Sequence, residues 1–472
     1  MISVKALLQQ PEQCIVEHWG SIEACPHAEN IRSDIEQLRD TKKTQKSLNK
    51  NKSEIARQFK TADDEQKQQL KADMAGVSSE LKRVDSLRSD IETRLLDYFS
   101  DSQESASRDA DDITAALCLE THYPQADAVA ARCRPATEQD RAAWQGFVEQ
   151  HPGGHFNHRW DIAELSATFF KHRFRPWIAE DDQQQVVGVL PIIHMNSPLF
   201  GNFASSMPWF NYGGPLAQSE AVAEALIATA AEALLADGAG HLECRETCKR
   251  ERWQRREDKV SMLLPLTTDS EALWQSFPSK LRSQIRRAQR EPHSIRSGGI
   301  ELLDDWYRVF AHNMRDLGTP VYSKHWFQAL LSAFPQQASL HVVYLDQRPV
   351  SAGFLINDKQ VMQIPWASTL KQFNHLSVNM LLYWHLLQYS IEQGCHWFDF
   401  GRSTRDAGTY RFKKQWGAQE LPHFWHYVLP EGETLPAINP DNPKYRFMIA
   451  VWQRLPVWLS RIIGPPVIRG IP

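Results

Sequence analysis

Residues 339–366, SLHVVYLDQRPVSAGFLINDKQVMQIPW, decide the fold class. They read as three strands, near 339–345, 350–356 and 360–366, followed by a helix at 376–393 and a further strand, HWFDF (396–400). Strands, a helix and another strand in that order describe an α/β chain with a largely buried sheet. Upstream the same order occurs. VVGVLPIIH (186–194) reads as one apolar strand, an Ala-rich helix lies near 218–236, and a strand follows at 240–244. VSMLLPL (260–266) opens the second half, with a helix holding Lys280 to Arg287 and two further helices behind it. The body therefore reads as two halves of one kind.

The chain has 472 residues, 42% of them hydrophobic and 23% charged, with a net charge of −4. That length suggests about three structural units. The chain as a whole is no polycation, so nucleic acid would have to be held by a local patch. The most apolar run, Ala221 to Ala236, is interrupted by Glu224 and Glu232, which argues against a bilayer span. One early lysine, Lys5, and a three-residue apolar run before Gln9 are too little for a secretory signal. Seven cysteines, an odd number in a long chain, suit a reducing compartment, and the cytoplasm is the expected location. Cys244 and Cys248 stand four apart with no second Cys/His pair at zinc spacing, so no metal is expected.

Of the 16 tryptophans only Trp19 precedes residue 136. The expected division is a helical arm over 1–100, a linker over 101–135, one lobe over 136–257, a second over 258–440 and an apolar segment over 441–472. In the arm, Ile31, Ile35, Leu38, Leu48, Ile55 and Phe59 mark one stripe. Leu70, Met74, Val77, Leu81, Val84, Leu87, Ile91 and Leu95 mark a near-heptad stripe on a second helix. Thr61-Ala62-Asp63-Asp64 makes a turn with an Asp as N-cap, so an antiparallel coiled-coil hairpin follows. Residues 31–60 carry nine Lys/Arg and four Asp/Glu, which suits either a solvated dimerisation arm or a basic arm that touches nucleic acid.

Met1 to Phe99 resembles the tRNA-binding arm of seryl-tRNA synthetase, with IRSDIEQLRDTKKTQKSLNKNKSEIARQFK (31–60), the turn and a returning helix. No class II synthetase catalytic motif follows, so the likeness stops at the arm. From about residue 135 onward the chain resembles the FemAB/FemX-like branch of the GNAT acyltransferases, and within it the exosortase (PEP-CTERM) and exopolysaccharide-associated group. The segments that carry this are HPGGHFNHRW (151–160), LPIIHMNSPLFGN (190–202), YGGP (212–215), MRDLGTPVYSKHWF (314–327), FDFGRST (398–404) and YRFKKQWG (410–417). The resemblance implies tandem GNAT-like lobes and transfer of an aminoacyl group from charged tRNA to a cell-envelope or polysaccharide precursor. It implies no cofactor and places Lys413, in Phe-Lys-x-x-aromatic-Gly, at the acyl-transfer centre, with Tyr212 among the binding residues.

The residues allow further argument. An acetyl-CoA site of the usual kind needs a glycine-rich turn before a helix. No glycine occurs between Gly353 and Gly394, and the turn 367–377 reads ASTLKQFNHLS, which disfavours acetyl-CoA held in that manner. Phe398 to Ser403 is expected to end a strand and turn at Gly401, with Asp399 pinning the turn or holding an amine. Arg402 offers a planar fork for carboxylate or phosphate. Lys413 suits charge stabilisation of a developing oxyanion. Tyr410 is a proton relay or a packed aromatic. Lys280, Arg282, Arg286 and Arg287 form an acid-free cluster at helical spacing, expected to meet an anion on the same cleft wall as Lys413 and Arg402. His151, His155 and His158 have near-helical spacing, but Pro152-Gly153-Gly154 breaks a helix there. Trp452 and Trp458 beside Arg454 and Arg461 read either as a membrane-interface segment or as a helix docked on the body. An acyl-CoA or acyl-carrier donor, and a non-catalytic scaffold, stay open beside the tRNA reading.

Overall fold

The computed structural model describes residues 7–97 with interruptions at 9, 20, 23–24, 26 and 60–61, then 131–197, 201–435 and 443–471. The expected linker lies outside the described residues as far as 130. Its last part is not linker, for Arg132–Pro135 is a strand paired antiparallel with Trp177–Glu180. Arg134 holds it there through Asp140 at 2.7 Å and Glu180 at 2.6 Å, a charge pairing that no apolar pattern announces. The chain divides into two compact units, Met1–Ala110 and Asp111–Pro472.

In the first unit the helices Ala28–Gln58 and Asp64–Asp97 lie antiparallel. Arg94 grips Asp34 at 2.9 Å, Lys42 meets Glu92 at 3.2 Å and Arg88 donates to Gln45 at 3.0 Å, a descending series across the pair. Neither helix is apolar enough to stand alone. Ile31, Ile35 and Leu38 bury against Ile91 and Leu95, with Cys14 and Ile15 from the short helix Pro11–Trp19. Asp63 caps the returning helix, accepting from Gln66 N at 2.9 Å while its own N–H donates to Gln66 Oε1 at 3.4 Å. Leu87 departs from the expected stripe and is exposed. The buried run is Leu81, Val84, Ile91 and Leu95, so alternating steps of three and four put Arg88, not Leu87, on the seam.

The second unit holds two α/β lobes in tandem. In the second lobe Ala338–Leu345, Arg348–Asp358 and Val361–Thr369 form an antiparallel meander. The helix Val378–Glu392 then crosses to Trp397–Thr404, which pairs parallel with Val361–Thr369. The first lobe repeats this. Ile192–Ser197 and Gly201–Ser206 pair antiparallel, the helix Glu220–Ala236 follows its Ser219 cap, and Leu242–Glu246 pairs parallel with Gly201–Ser206. The single strand expected over 186–194 is two, Val186–Leu190 and Ile192–Ser197, in different sheets. Pro191 separates them, because it has no N–H for a ladder.

The lobes are interlaced. Phe424–Val428, from the far end of the chain, inserts between Leu242–Glu246 and Gln254–Arg256 in the first-lobe sheet, although its sequence position suggests the second lobe. The second-lobe sheet has a core on each face. One face carries Trp306, Phe310, Trp326, Phe327 and Phe354. The other carries Phe398, Phe400, Leu386 and Trp416, together with Leu281 and Ile285.

Candidate active site

The parallel pairing of Val361–Thr369 with Trp397–Thr404 ends at Gln363 opposite Asp399, although both strands run on. Past that point the strands part and leave a narrow, partly open cavity lined by Gln363, Trp366, Asp399 and Gly401 and by Asn157 and Tyr212 of the first lobe. The Asp399 strand does not turn at Gly401, as its sequence suggests. It continues to Thr404 through a bulge: Leu263 faces Asp399 and Ser261 faces Arg402, three residues matched by two. Gly401 takes φ +75°, which absorbs the extra residue. The bulge shifts the alternation, so Asp399 and Arg402 both face the first lobe, where Tyr212 meets one and Trp425 the other.

Asp399 is buried and well supplied with donors. It accepts from Tyr212 Oη at 3.1 Å and Gly401 N at 2.7 Å, and from the Ser261 hydroxyl. His423, fully buried, lies 3.0 Å from the same Ser261 oxygen through Nε2. Burial raises the Asp399 carboxyl above its ordinary value, and the donors and the Lys413 charge only partly offset this. Burial also holds the His423 imidazole down to about 3, with help from the Arg402, Arg245 and Lys413 charges.

Lys413, at the end of the helix Gly408–Lys414, is buried and donates to the carbonyls of Gly401 and Arg402 at 2.8 and 2.9 Å. Burial lowers its ammonium to about 8, against the pull of Asp399. Attraction between these two would shift them the other way, so desolvation dominates at both.

Arg402 is exposed at its surface yet enclosed by neighbours, Trp425 and Arg245 of the first lobe among them. That enclosure, then the neighbouring Arg245 charge, lowers its guanidinium to about 10. Its Cζ lies 5.0 Å from the Trp425 ring centroid, with Arg245 Cζ 4.2 Å from the same centroid. The two arginines are counterparts in the repeat: Glu243 stands in the last parallel pair of the first lobe as Asp399 does in the second, and an arginine follows two residues after the one acid and three after the other. Arg245, however, is saturated, donating to Glu243 and to the Phe210 carbonyl, both at 2.8 Å. Glu243 is completed by Tyr427 at 2.6 Å and Ser205 at 3.1 Å. Among the described residues Arg402 has no carboxylate partner.

Of the residues picked from sequence, the structure thus brings together Tyr212, Asp399, Arg402 and Lys413. Tyr410 is not among them: its hydroxyl donates to Glu420 and receives a bond from Lys414 at 3.3 Å. Nor does the basic cluster converge on the site. The helix Ser279–Gln289 packs Leu281, Ile285 and Ala288 against the sheet face carrying Phe398 and Phe400, whereas Asp399 and Arg402 project from the opposite face. Arg286 lies over Trp274 at 5.3 Å, Arg282 donates to Gln275 at 3.0 Å, and Lys280 and Arg287 are exposed. Sequence reading missed Ser261, His423, Asn157, Arg245 and Trp425. The polar Ser261 inside an apolar strand was the one available signal.

The turn at 367–377 is built from the 3-10 helix Lys371–Leu376 and Ser377, which takes a left-handed φ of +59° directly before the long helix. His151 and His155 serve their own turn: His151 accepts from Gly153 N at 3.0 Å and His155 from Asn157 N at 3.3 Å. A second small cavity, lined by His155, Gly213, Gly214, Arg245 and Cys248, lies on another side of Tyr212.

Residues 275–414 match the family model described as Acetyltransferase (GNAT) domain. A 93-residue stretch is 27% identical to the aminoacyltransferase FemA of Staphylococcus epidermidis, covering 18% of this chain and 22% of that protein. The chain thus spans about a fifth of the length of the curated relatives it matches. The crystal structure of FemX is similar in fold, at 14% identity and a TM-score of 0.50, covering 67% of this chain and all of FemX. A tandem GNAT protein from clavulanic acid biosynthesis is 10% identical with a TM-score of 0.43, covering 64% of this chain and all of that one.

Proposed function

We propose that the chain is an acyltransferase working where the Val361–Thr369 and Trp397–Thr404 strands part. Its reaction is transfer of an aminoacyl group from charged tRNA to a cell-envelope or exopolysaccharide-related acceptor. The observation that carries this is the open guanidinium of Arg402, beside buried Lys413 and the Asp399–Tyr212 bond. An exposed cation without a carboxylate partner among the described residues suits a phosphate-bearing or carboxylate-bearing substrate. In the reaction an acceptor nucleophile attacks the acyl carbonyl carbon, negative charge develops on the carbonyl oxygen, and the ester bond to the ribose oxygen breaks. The proton lost by the nucleophile ends on the departing hydroxyl. Lys413 and Arg402 provide the positive field for that developing charge. Asp399, held by Tyr212 and Gly401, sets the local charge balance that keeps Lys413 positioned.

The aminoacyl donor is supported by the FemA-like stretch, FemA being named an aminoacyltransferase, and by a basic helix in the first unit. The narrower likeness to the exosortase-associated group and to the synthetase arm rests on the residues alone. An acyl-CoA or acyl-carrier donor is the second reading, favoured by the GNAT match over 275–414. Transfer of a labelled group to the native acceptor separates catalysis from a scaffold: Lys413→Ala should abolish it, Arg402→Ala should weaken it at limiting substrate, and an unaffected double variant overturns the assignment. For the donor, bulk tRNA titrated by gel shift at increasing salt should bind the full chain. A Lys46→Glu, Lys50→Glu, Lys52→Glu variant should lose that binding. No shift at low salt sinks the tRNA reading.

A further inference from the structure

The last thirty residues raise a question the acyl-transfer site does not answer. The helices Pro443–Trp452 and Val457–Ile468 are joined through Leu455-Pro456. The second is docked on the body by one stripe, Ser460, Gly464 and Ile468, all buried. The approach there is close: a Cβ on Gly464 would sit 2.8 Å from both Val321 N and Val321 O. Trp209 donates to the Ile468 carbonyl at 3.4 Å, and His172 lies 2.9 Å from that of Arg469. The helix therefore cannot roll to hide its other face.

That other face is apolar and open. Trp458 is 64% exposed and Ile462, one turn on, 62%. Met448 and Val451 on the preceding helix are 48% and 44% exposed. Leu317 is 59% exposed and joins them, because Gly318 abuts Ile449 and the Asp316 carbonyl accepts from Gln453. Among the described residues nine large apolar side chains are exposed, and six belong to this region. Scattered single exposures need no explanation, but a concentration does.

Charge says what covers it. From residue 443 to the end of the chain there are five Lys/Arg and no Asp/Glu, in a protein whose net charge is −4. Arg454 and Arg461 are exposed on the two sides of Trp458. Arg461 lies over Tyr307 at 5.1 Å, and Arg454 has no carboxylate partner among the described residues. The acids nearby are already paired: Asp316 with Arg315 at 2.7 Å, and Asp304, whose carboxyl the Arg461 charge helps to lower, with Lys324. No helix among the described residues is long and apolar enough to cross a membrane.

We propose that this face lies on an anionic phospholipid surface, Trp458 and Ile462 entering the headgroup boundary while Arg454 and Arg461 meet lipid phosphates. An apolar stripe flanked by cations and free of acids is the composition of an interfacial helix. The proposal does not rest on the acyl-transfer reading. Its test is sedimentation of the full chain with vesicles of phosphatidylcholine alone, or with about one third phosphatidylglycerol. The chain should partition at least about tenfold more onto the anionic vesicles, with the difference shrinking as salt rises. Trp458→Ser with Ile462→Ser should remove most of the binding, and Arg454→Glu with Arg461→Glu should remove its lipid selectivity. All four substituted positions are exposed, so the thermal midpoint should hold, and transfer to a soluble acceptor should be unchanged. Absence of binding to anionic vesicles, or equal binding by the double serine variant, overturns the proposal. So does lipid-free sedimentation velocity showing a dimer that the same variant dissociates, which would make a second copy the occupant.

Discussion

The hydroxyl of Tyr212, on the first lobe, donates to the carboxylate of Asp399, on the second, at 3.1 Å. This bond closes the base of the cavity and ties the two halves of the repeat at the point where the second-lobe strands part. Tyr212→Phe removes it and leaves a buried carboxylate with fewer donors. The cost should be about 1.5–3 kcal/mol in urea unfolding, the range for a hydrogen bond to a charged group. Asp399 should titrate still higher in the variant, since a donor to its charged form is gone. Transfer should fall roughly tenfold, matching the ~1.4 kcal/mol of one lost contact. An unchanged urea midpoint would show that the bond is not made in solution.

Lys413 gives a pH prediction with a definite sign. Burial lowers its ammonium to about 8 from an ordinary 10.5. Between those values the unfolded chain holds a proton that the folded chain has released, so stability rises with pH across that window. The Lys413 contribution is fully present above about 10.5 and is lost as pH falls through about 8. Its size is on the order of 3 kcal/mol. Urea unfolding of wild type and Lys413→Met at several pH values isolates it, because the variant should lack that part of the slope. If the charged form acts in catalysis, transfer should decline above pH about 8 with the same midpoint.

Arg402→Ala should raise KM for the anionic substrate about 10- to 100-fold, the worth of a charge-assisted hydrogen bond of roughly 1.5–3 kcal/mol. Stability should change little, since Arg402 has no carboxylate partner among the described residues to strand. Arg402→Lys should recover part of the affinity, because a point charge replaces the planar fork. A KM unaffected by either change would move the anion site elsewhere.

The sequence made the strand–helix–strand order of both lobes legible, because apolar runs and an Ala-rich helix carry it locally. It also picked out Asp399, Arg402 and Lys413, which lie within one short stretch. It could not show that Val186–His194 is split between two sheets, since one proline in an apolar run is ambiguous until the sheets are seen. Nor could it pair Tyr212 with Asp399, or send Phe424–Val428 back to the first lobe, for both depend on contacts between distant segments. The basic helix misled for a physical reason. Charges at helical spacing announce a solvated face, and nothing in the spacing tells which side of the sheet it covers.

Gly401 is the residue on which the site geometry turns. With φ +75° it sits in the left-handed region, and an added Cβ would lie 3.4 Å from the Ile364 carbonyl oxygen, across the opening between the strands. Gly401→Ala should therefore cost about 1–2 kcal/mol from backbone strain alone, read as a lower urea midpoint at unchanged slope. The larger effect should be on function. If the bulge is lost, Arg402 rotates to the face of Phe400, away from Trp425. Lys413 then loses the carbonyls of Gly401 and Arg402 that it bridges. Transfer should fall by more than the stability loss accounts for, at temperatures where the variant is still folded. A variant less stable by that amount yet fully active would show that the bulge shapes the strand without aiming Arg402.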